Sequence, residues 1–111
     1  MRYISLSCAA IVSVLAMPAF AFECPEHLAE ARAMIEKVSG DMEGMSGMMA
    51  SEDMARVQAL VDDARMLLAG GEHDHEMSRS PFDHARAIAK AGAALGHARA
   101  ADALHFSYME Q

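Results

Sequence analysis

The sequence is poor in aromatic residues and in positive charge. It contains no tryptophan, two tyrosines and four phenylalanines. It has nine lysines and arginines against sixteen acidic residues, which gives a net charge of −7. Nucleic acids bind to basic grooves and stacked aromatic side chains, and anionic lipid attracts basic segments. The composition therefore argues against nucleic acid and anionic membrane surfaces as partners. The scarcity of aromatics also argues against a b-type haem held by one histidine and one methionine.

Cysteine is equally scarce, with Cys8 and Cys24 the two in the chain. The Cys-x-x-Cys-His pattern of c-type haem attachment is absent. So are a glycine-rich phosphate loop, a paired nucleophile and base, and paired carboxylates in an apolar setting. We therefore expect a protein without enzymatic activity.

The first 21 residues have the order of a secretory signal peptide. Arg2 precedes an uncharged apolar run that ends at Met17, and Pro18 is followed by Ala19-Phe20-Ala21. The run is too short for a stable membrane anchor. The sequence predicts cleavage after Ala21, leaving residues 22–111 as a single helical domain in the periplasm.

The processed chain would carry eight basic and sixteen acidic residues, for a net charge of −8. Cys24 would be its single cysteine, so no internal disulfide can form. Such a thiol in an oxidising compartment is buried, joined to another molecule, or bound to a metal.

Two helices are predicted in the first part of this domain. One begins at Cys24-Pro25, since proline is favoured at the first helical position, and the glycines at 40, 44 and 47 make its continuation doubtful. The other begins with Ser51 as its cap and ends at Gly70-Gly71. Their apolar stripes are Leu28, Ala31, Ile35 and Val38 in the first helix, and Met54, Val57, Leu60, Val61, Ala64, Leu67 and Leu68 in the second.

A third helix is predicted after a polar loop over residues 72–79. Ser80-Pro81 with Asp83 indicates its start, and it extends to about Tyr108. At 100° per residue Ile88, Leu95 and Phe106 share one face, His105 borders that face, and many alanines allow close approach of a neighbouring helix. No alternating strand pattern is found. The sequence thus predicts an all-α fold, either a small three-helix bundle or a helical hairpin with a packed third helix.

A methionine-rich tract occupies residues 40–49, with methionine at 42, 45, 48 and 49. Thioether sulfur is a soft, neutral ligand that suits Cu(I) and needs no deprotonation. The same spacing would also let Met42, Met45 and Met49 continue the first apolar stripe as adaptable core residues. Both interpretations remain open from the sequence.

A second cluster is the segment 72–77, where His73 and His75 alternate with carboxylates and Met77 follows. Alternate residues of an extended loop point to the same side, so both imidazoles could reach one divalent ion. His84 could supply a third nitrogen. Solvated loop histidines and a hydrogen-bonded, partly buried His84 are the alternatives.

The third cluster is Cys24 with His27, three residues apart at a predicted helix start. There the helix dipole and free N–H groups favour the thiolate, and His27 on the same side would complete a two-ligand pair. A plain helix start and an intermolecular disulfide are the alternatives.

The tract Asp41-Met-Glu-Gly-Met-Ser-Gly-Met-Met49 resembles the Met-Gly-rich tracts of periplasmic copper-resistance proteins, in which histidines accompany clustered methionines. The resemblance covers about ten residues and implies copper as a ligand, without implying a fold.

Two functional hypotheses follow from these clusters. In the first the chain is a periplasmic copper chaperone, scavenger or buffer that exchanges metal with another envelope protein. Its soft ligands would be Met42, Met45, Met48 and Met49, and its second site, suited to Cu(II), zinc or nickel, would use His73, His75 and His84. In the second it is a helical interaction module with an adaptable methionine-rich surface.

Overall fold

The computed structural model describes the backbone of residues 20–111 and the side chains from Cys24 onward. This part of the chain forms three helices and no strand, namely α1 (Phe20–Gly44), α2 (Ser51–Glu76) and α3 (Pro81–Met109). None of the three is long and apolar enough to cross a membrane. The predicted all-α, three-helix fold is confirmed. The predicted leader, residues 1–21, lies outside the residues whose side chains are described.

The helices run up, down and up, and each packs against the other two. Ion pairs between helices show the directions: Arg32 in α1 meets Glu72 near the end of α2, and Lys37 meets Asp102 in the second half of α3. This arrangement brings the beginning of α1, the end of α2 and the beginning of α3 together at one end of the bundle.

The core is a narrow seam of aliphatic side chains. The predicted stripe of α1 is buried and extends to Met42, while Val57, Val61, Ala64 and Leu68 are the buried members of the predicted stripe of α2. The other members, Met54, Leu60 and Leu67, pack against this core from half-buried positions.

The buried face of α3 consists almost entirely of alanine, which differs from the predicted face. Its buried residues are Ala87, Ala91, Ala94, Ala98, Ala101 and His105. Ile88 and Leu95 are half-buried beside this face, and Phe106 is 62% exposed. Because the alanine side chains are small, α3 can lie close to α1 and α2. The larger side chains of Ile88 and Leu95 lie at the edges of this interface.

The predicted start of α3 is correct, that of α2 is correct to within one residue but without the predicted cap, and that of α1 is wrong. Ser80 caps α3 by accepting a hydrogen bond from the Asp83 N–H at 3.3 Å, with Pro81 at the first helical position. In α2, Ser51 is already helical, and Ala50 before it offers no side-chain cap. Helix α1 begins at Phe20, so Pro25 lies inside the helix and Cys24 lies in its second turn.

The predicted end of α2 at Gly70-Gly71 is also wrong, because the helix continues to Glu76. Gly71 is buried where α2 crosses its neighbours: an added Cβ would lie 3.1 Å from Leu28 Cδ2 and 3.2 Å from the carbonyl oxygen of Ala87. No described glycine has positive φ. Gly71 therefore serves close packing of three helices, and the predicted loop is reduced to residues 77–80.

Candidate metal centre

The three helix ends gathered at one end of the bundle bring Cys24, His75 and His84 together. Each residue offers one ligand atom, and these three atoms all lie within 4.8 Å of one another. Cys24 is fully buried, and the two histidines are half-buried. One thiol and two imidazoles from three different helices thus form a group that could hold a metal ion.

A hydrogen-bond network orients His84 toward the thiol. The Ser78 hydroxyl donates to the carbonyl oxygen of His75 at 2.9 Å, so it can accept from His84 Nε2, which lies 3.3 Å away. With the proton on Nε2, the lone pair of Nδ1 faces Cys24 Sγ at 3.8 Å. The network therefore assigns the tautomer that a metal ligand needs, with the opposite ring nitrogen held by an oxygen.

His75 presents a buried nitrogen to the same region. Its Nδ1 makes no hydrogen bond to any residue that the structure describes. A buried polar atom without a hydrogen bond lowers the stability of the fold by about 1–3 kcal/mol. Its ring centroid lies 6.0 Å from that of His84, with 60° between the ring planes. The two rings are thus close without stacking.

The spacing suits a small metal ion. Around a tetrahedral zinc, bond lengths of about 2.3 Å to sulfur and 2.0 Å to nitrogen place the sulfur about 3.5 Å from each nitrogen. The distance from Cys24 Sγ to His84 Nδ1 is already 3.8 Å. The other separations in the group are no greater than 4.8 Å, so small side-chain shifts would close it around an ion.

The site opens to solvent beside His75. A groove of about 340 Å³ is lined by this ring together with Pro25, Leu28, Arg32, Glu72 and Glu76. An ion could reach His75 through this groove. The Arg32–Glu72 ion pair at its edge leaves part of the local negative charge neutralised.

Two carboxylates that adjoin these histidines in sequence, Asp74 and Asp83, have other contacts. Lys90 Nζ lies 2.7 Å from Asp74 Oδ2, and this hydrogen bond, aided by Arg86, lowers the pKa of Asp74 below its ordinary value. The backbone N–H of Arg79 and the Ser80 hydroxyl likewise lower the pKa of Asp83. Both carboxylates hold helix ends in place and are kept ionised by these partners.

The predicted partnership of His73 and His75 is wrong. Both residues lie in α2, and a separation of two residues turns them about 200° apart around a helix. His73 is exposed, whereas His75 faces α1 and α3. The prediction failed because it rested on an extended loop that is not present.

The other predicted ligands near this end lie apart from the group. Met77 is 56% exposed just beyond the end of α2. His27 is half-buried one turn after Cys24, and it is not a member of the three-residue group. The predicted free helix terminus at Cys24 is absent, since that residue lies in the second turn of α1.

The methionine tract is divided among three environments at the opposite end. Met42 is buried in the core, as the stripe interpretation predicts, and Met49 packs against the core from a half-buried position. Met45 is 38% exposed and Met48 is 73% exposed. Helix α1 ends at Gly44, so the residues that follow do not continue its buried stripe.

The sequence thus predicted His75 and His84 as ligands of one site, with His73, but placed Cys24 in a separate cluster with His27. It missed Ser78, for which the only sequence signal was its position between two candidate ligands. Comparison of the chain with protein-family models, curated proteins and solved structures finds no significant match.

Proposed function

We propose that this chain is an exported metal-binding protein of the cell envelope, and that it carries copper as Cu(I) on Cys24, His75 and His84. It would act as a chaperone, scavenger or buffer that exchanges the ion with another envelope protein. The observation that carries the proposal is the meeting of one thiol and two imidazoles from three helices within 4.8 Å.

The chemistry of the three ligands favours Cu(I) over the alternatives. Thiolate is a soft ligand that selects Cu(I) or zinc, and imidazole suits either ion. Structural zinc sites almost always have four protein ligands, whereas the group within the described residues has three. Cu(I) is satisfied by three ligands, and the methionine-rich tract elsewhere in the chain agrees with an environment that supplies copper.

Two features support export. The leader pattern of residues 1–21 is one of them. The other is Pro25, which lies inside α1 and cannot donate the usual helical hydrogen bond to residue 21. In a chain cleaved after Ala21, Pro25 would lie in the first turn, where that donor has no helical partner to lose.

The decisive experiment is anaerobic competition of the reduced protein, residues 22–111, against a chromophoric Cu(I) chelator, with Zn(II) titrated in parallel. We expect Cys24→Ser, His75→Gln and His84→Gln each to weaken Cu(I) binding at this site by at least about 100-fold. The thiolate-to-copper absorption in the near ultraviolet should be lost in Cys24→Ser.

His73→Gln is the matched control, since it changes the neighbouring histidine on the exposed side of the same helix. Its affinity should remain within about twofold of the wild type, and circular dichroism should show unchanged helix content in all four variants. Equal affinities for His73→Gln and His75→Gln would overturn the assignment. If the protein prefers zinc, the assignment of the three ligands stands but copper is not the ion they bind. If it binds neither ion, the helical interaction module is the better account.

A further inference from the structure

A groove lies at the end of the bundle opposite Cys24. It has a volume of about 590 Å³ and is formed by the second half of α1, the turn that follows it and the end of α3. Three methionines line it, Met34, Met45 and Met109, together with His105. No residue of this set belongs to the group proposed above.

His105 is the unusual member of the set. It occupies a position on the buried face of α3 that is otherwise alanine, and it is 6% exposed. Its Nε2 atom is buried and makes no hydrogen bond to any described residue. A buried imidazole of this kind is costly unless a partner binds it, and His105 is one of the residues that line the groove.

The three methionines complement this nitrogen chemically. Met34 is half-buried against the core, Met45 is 38% exposed, and Met109 is half-buried at the end of α3. Thioethers are soft, uncharged ligands, and combined with one imidazole they favour a soft monovalent ion over zinc, magnesium or calcium. The groove contains no thiol, so the ion would bind without displacing a proton from sulfur.

The charged residues at the edge of the groove are already paired. Lys37 Nζ lies 3.0 Å from Asp41 Oδ2 and 2.9 Å from Asp102 Oδ1. Arg99 lies 3.3 Å from a carboxylate oxygen of Glu30. The cations that border the groove are therefore offset by carboxylates and do not leave an unbalanced positive charge beside an incoming ion.

We propose that His105, Met34, Met45 and Met109 form a second site for a soft monovalent metal ion, Cu(I) in the envelope and Ag(I) as its laboratory analogue. The site goes beyond the proposed function in using different residues at the other end of the molecule. It assigns a role to Met45 of the methionine tract and to a histidine whose place the sequence pattern left undecided.

The test uses a background that lacks the first site, the Cys24→Ser, His75→Gln, His84→Gln variant of residues 22–111. Anaerobic titration with Cu(I) should still show one bound equivalent per chain. Adding Met34→Leu, Met45→Leu and Met109→Leu should abolish this equivalent, because leucine keeps the apolar volume and removes the sulfur. His105→Leu should weaken it at least tenfold.

Met48→Leu and Met66→Leu are the matched controls, since these methionines are 73% and 69% exposed and lie outside the groove. Both should keep the equivalent. A background variant that binds no Cu(I), or whose binding survives the triple leucine change, would overturn the second site. Neither result would affect the first site, which is measured separately by its thiolate absorption.

A second measurement does not depend on any variant. Titration of the wild-type chain with diamagnetic Ag(I), followed by NMR of the methionine methyl groups, should shift Met34, Met45 and Met109. The methyl signals of Met48 and Met66 should stay in place. Shifts confined to other methionines would count against the groove as the site.

Discussion

The orientation of a metal-binding histidine depends on the group that contacts its other ring nitrogen. Ser78 illustrates this, because its hydroxyl touches the backbone of His75 and the ring of His84 at once. A small polar residue in a four-residue connection thereby fixes which ring nitrogen of His84 faces Cys24. Mutation of a group that contacts the far side of a metal ligand typically weakens metal binding by about 10–100-fold.

Ser78→Ala should therefore weaken metal binding at the first site by about 10-fold while leaving one equivalent bound there. The physical reason is that His84 loses the acceptor for its Nε2 proton and with it the preferred tautomer and ring position. Chelator competition measures the change in affinity. Ser107→Ala, an exposed serine in α3, is the control and should bind as the wild type does. Unchanged affinity in Ser78→Ala would remove the serine from the site.

At this scale the sequence predicted His84 as a partner of His75 but did not connect either histidine with Cys24. Cys24 and His84 are 60 residues apart in the chain, and nothing in local spacing relates them. His73 and His75 show the converse, since their closeness in sequence suggested a shared ion that helix geometry forbids. Pairing of distant ligands is decided by packing, which a single sequence does not display.

At the scale of the helices, the structure departs from the sequence prediction where glycine is involved. A Gly-Gly pair is a common helix stop, yet α2 passes through Gly70 and Gly71 for a further turn and a half. The space beside Gly71 is filled by Leu28 and by the backbone of α3. Tertiary contact therefore outweighed the local cost of glycine, which is about 1 kcal/mol in a helix interior.

This difference predicts opposite effects for one substitution at two glycines. Gly92→Ala should stabilise the protein by about 1 kcal/mol, because Gly92 is exposed and nothing lies within 4 Å of an added Cβ. Gly71→Ala should lower the free energy of unfolding, because its Cβ would press against the Ala87 carbonyl at 3.2 Å. Urea unfolding of both variants measures the two changes. Stabilisation of both by similar amounts would show that α2 and α3 have room to separate.

The alanine face of α3, like Gly71, reflects close packing of the helices, which requires small side chains. The pattern of large apolar residues pointed to Ile88, Leu95 and Phe106, but the smallest apolar side chains are the most deeply buried. Hydrophobic periodicity weighs residues by size, so it cannot recognise an interface in which small size is the useful property. The prediction that many alanines permit close helix approach was the better guide.

At the scale of the whole molecule, the fold class followed from the sequence because three apolar stripes and short connections leave few arrangements other than a bundle. The proposed first metal site is a product of that arrangement. Its three ligands come from three helices, so it exists only when all three are packed. Three of the ion pairs between helices are largely solvent-exposed, and such pairs contribute little to stability. A bound ion would therefore add substantially to a bundle with a narrow core.

We expect metal to raise the thermal midpoint of unfolding. When the free concentration of the ion is 100 times its dissociation constant, binding stabilises the folded state by about 2.7 kcal/mol. For a domain of this size, that corresponds to a rise in the thermal midpoint of roughly 10–20 °C. Differential scanning calorimetry with and without Cu(I) measures the shift, and a strong chelator should reverse it. The Cys24→Ser variant should lose most of the shift. If Cu(I) does not change the thermal midpoint of the wild type, then the ion does not link the three helices through these ligands.

The unbroken length of α3 has a consequence for how the molecule would fill with metal. His84 and His105 are 21 residues apart in one continuous helix, which at about 1.5 Å per residue separates them by about 30 Å. Electrostatic repulsion between ions fades over about 8 Å at physiological salt. Occupation of one end would leave the affinity of the other unchanged, and the binding curve would be the sum of two independent hyperbolas. A partner docked at either end could then remove one ion while the other stayed in place.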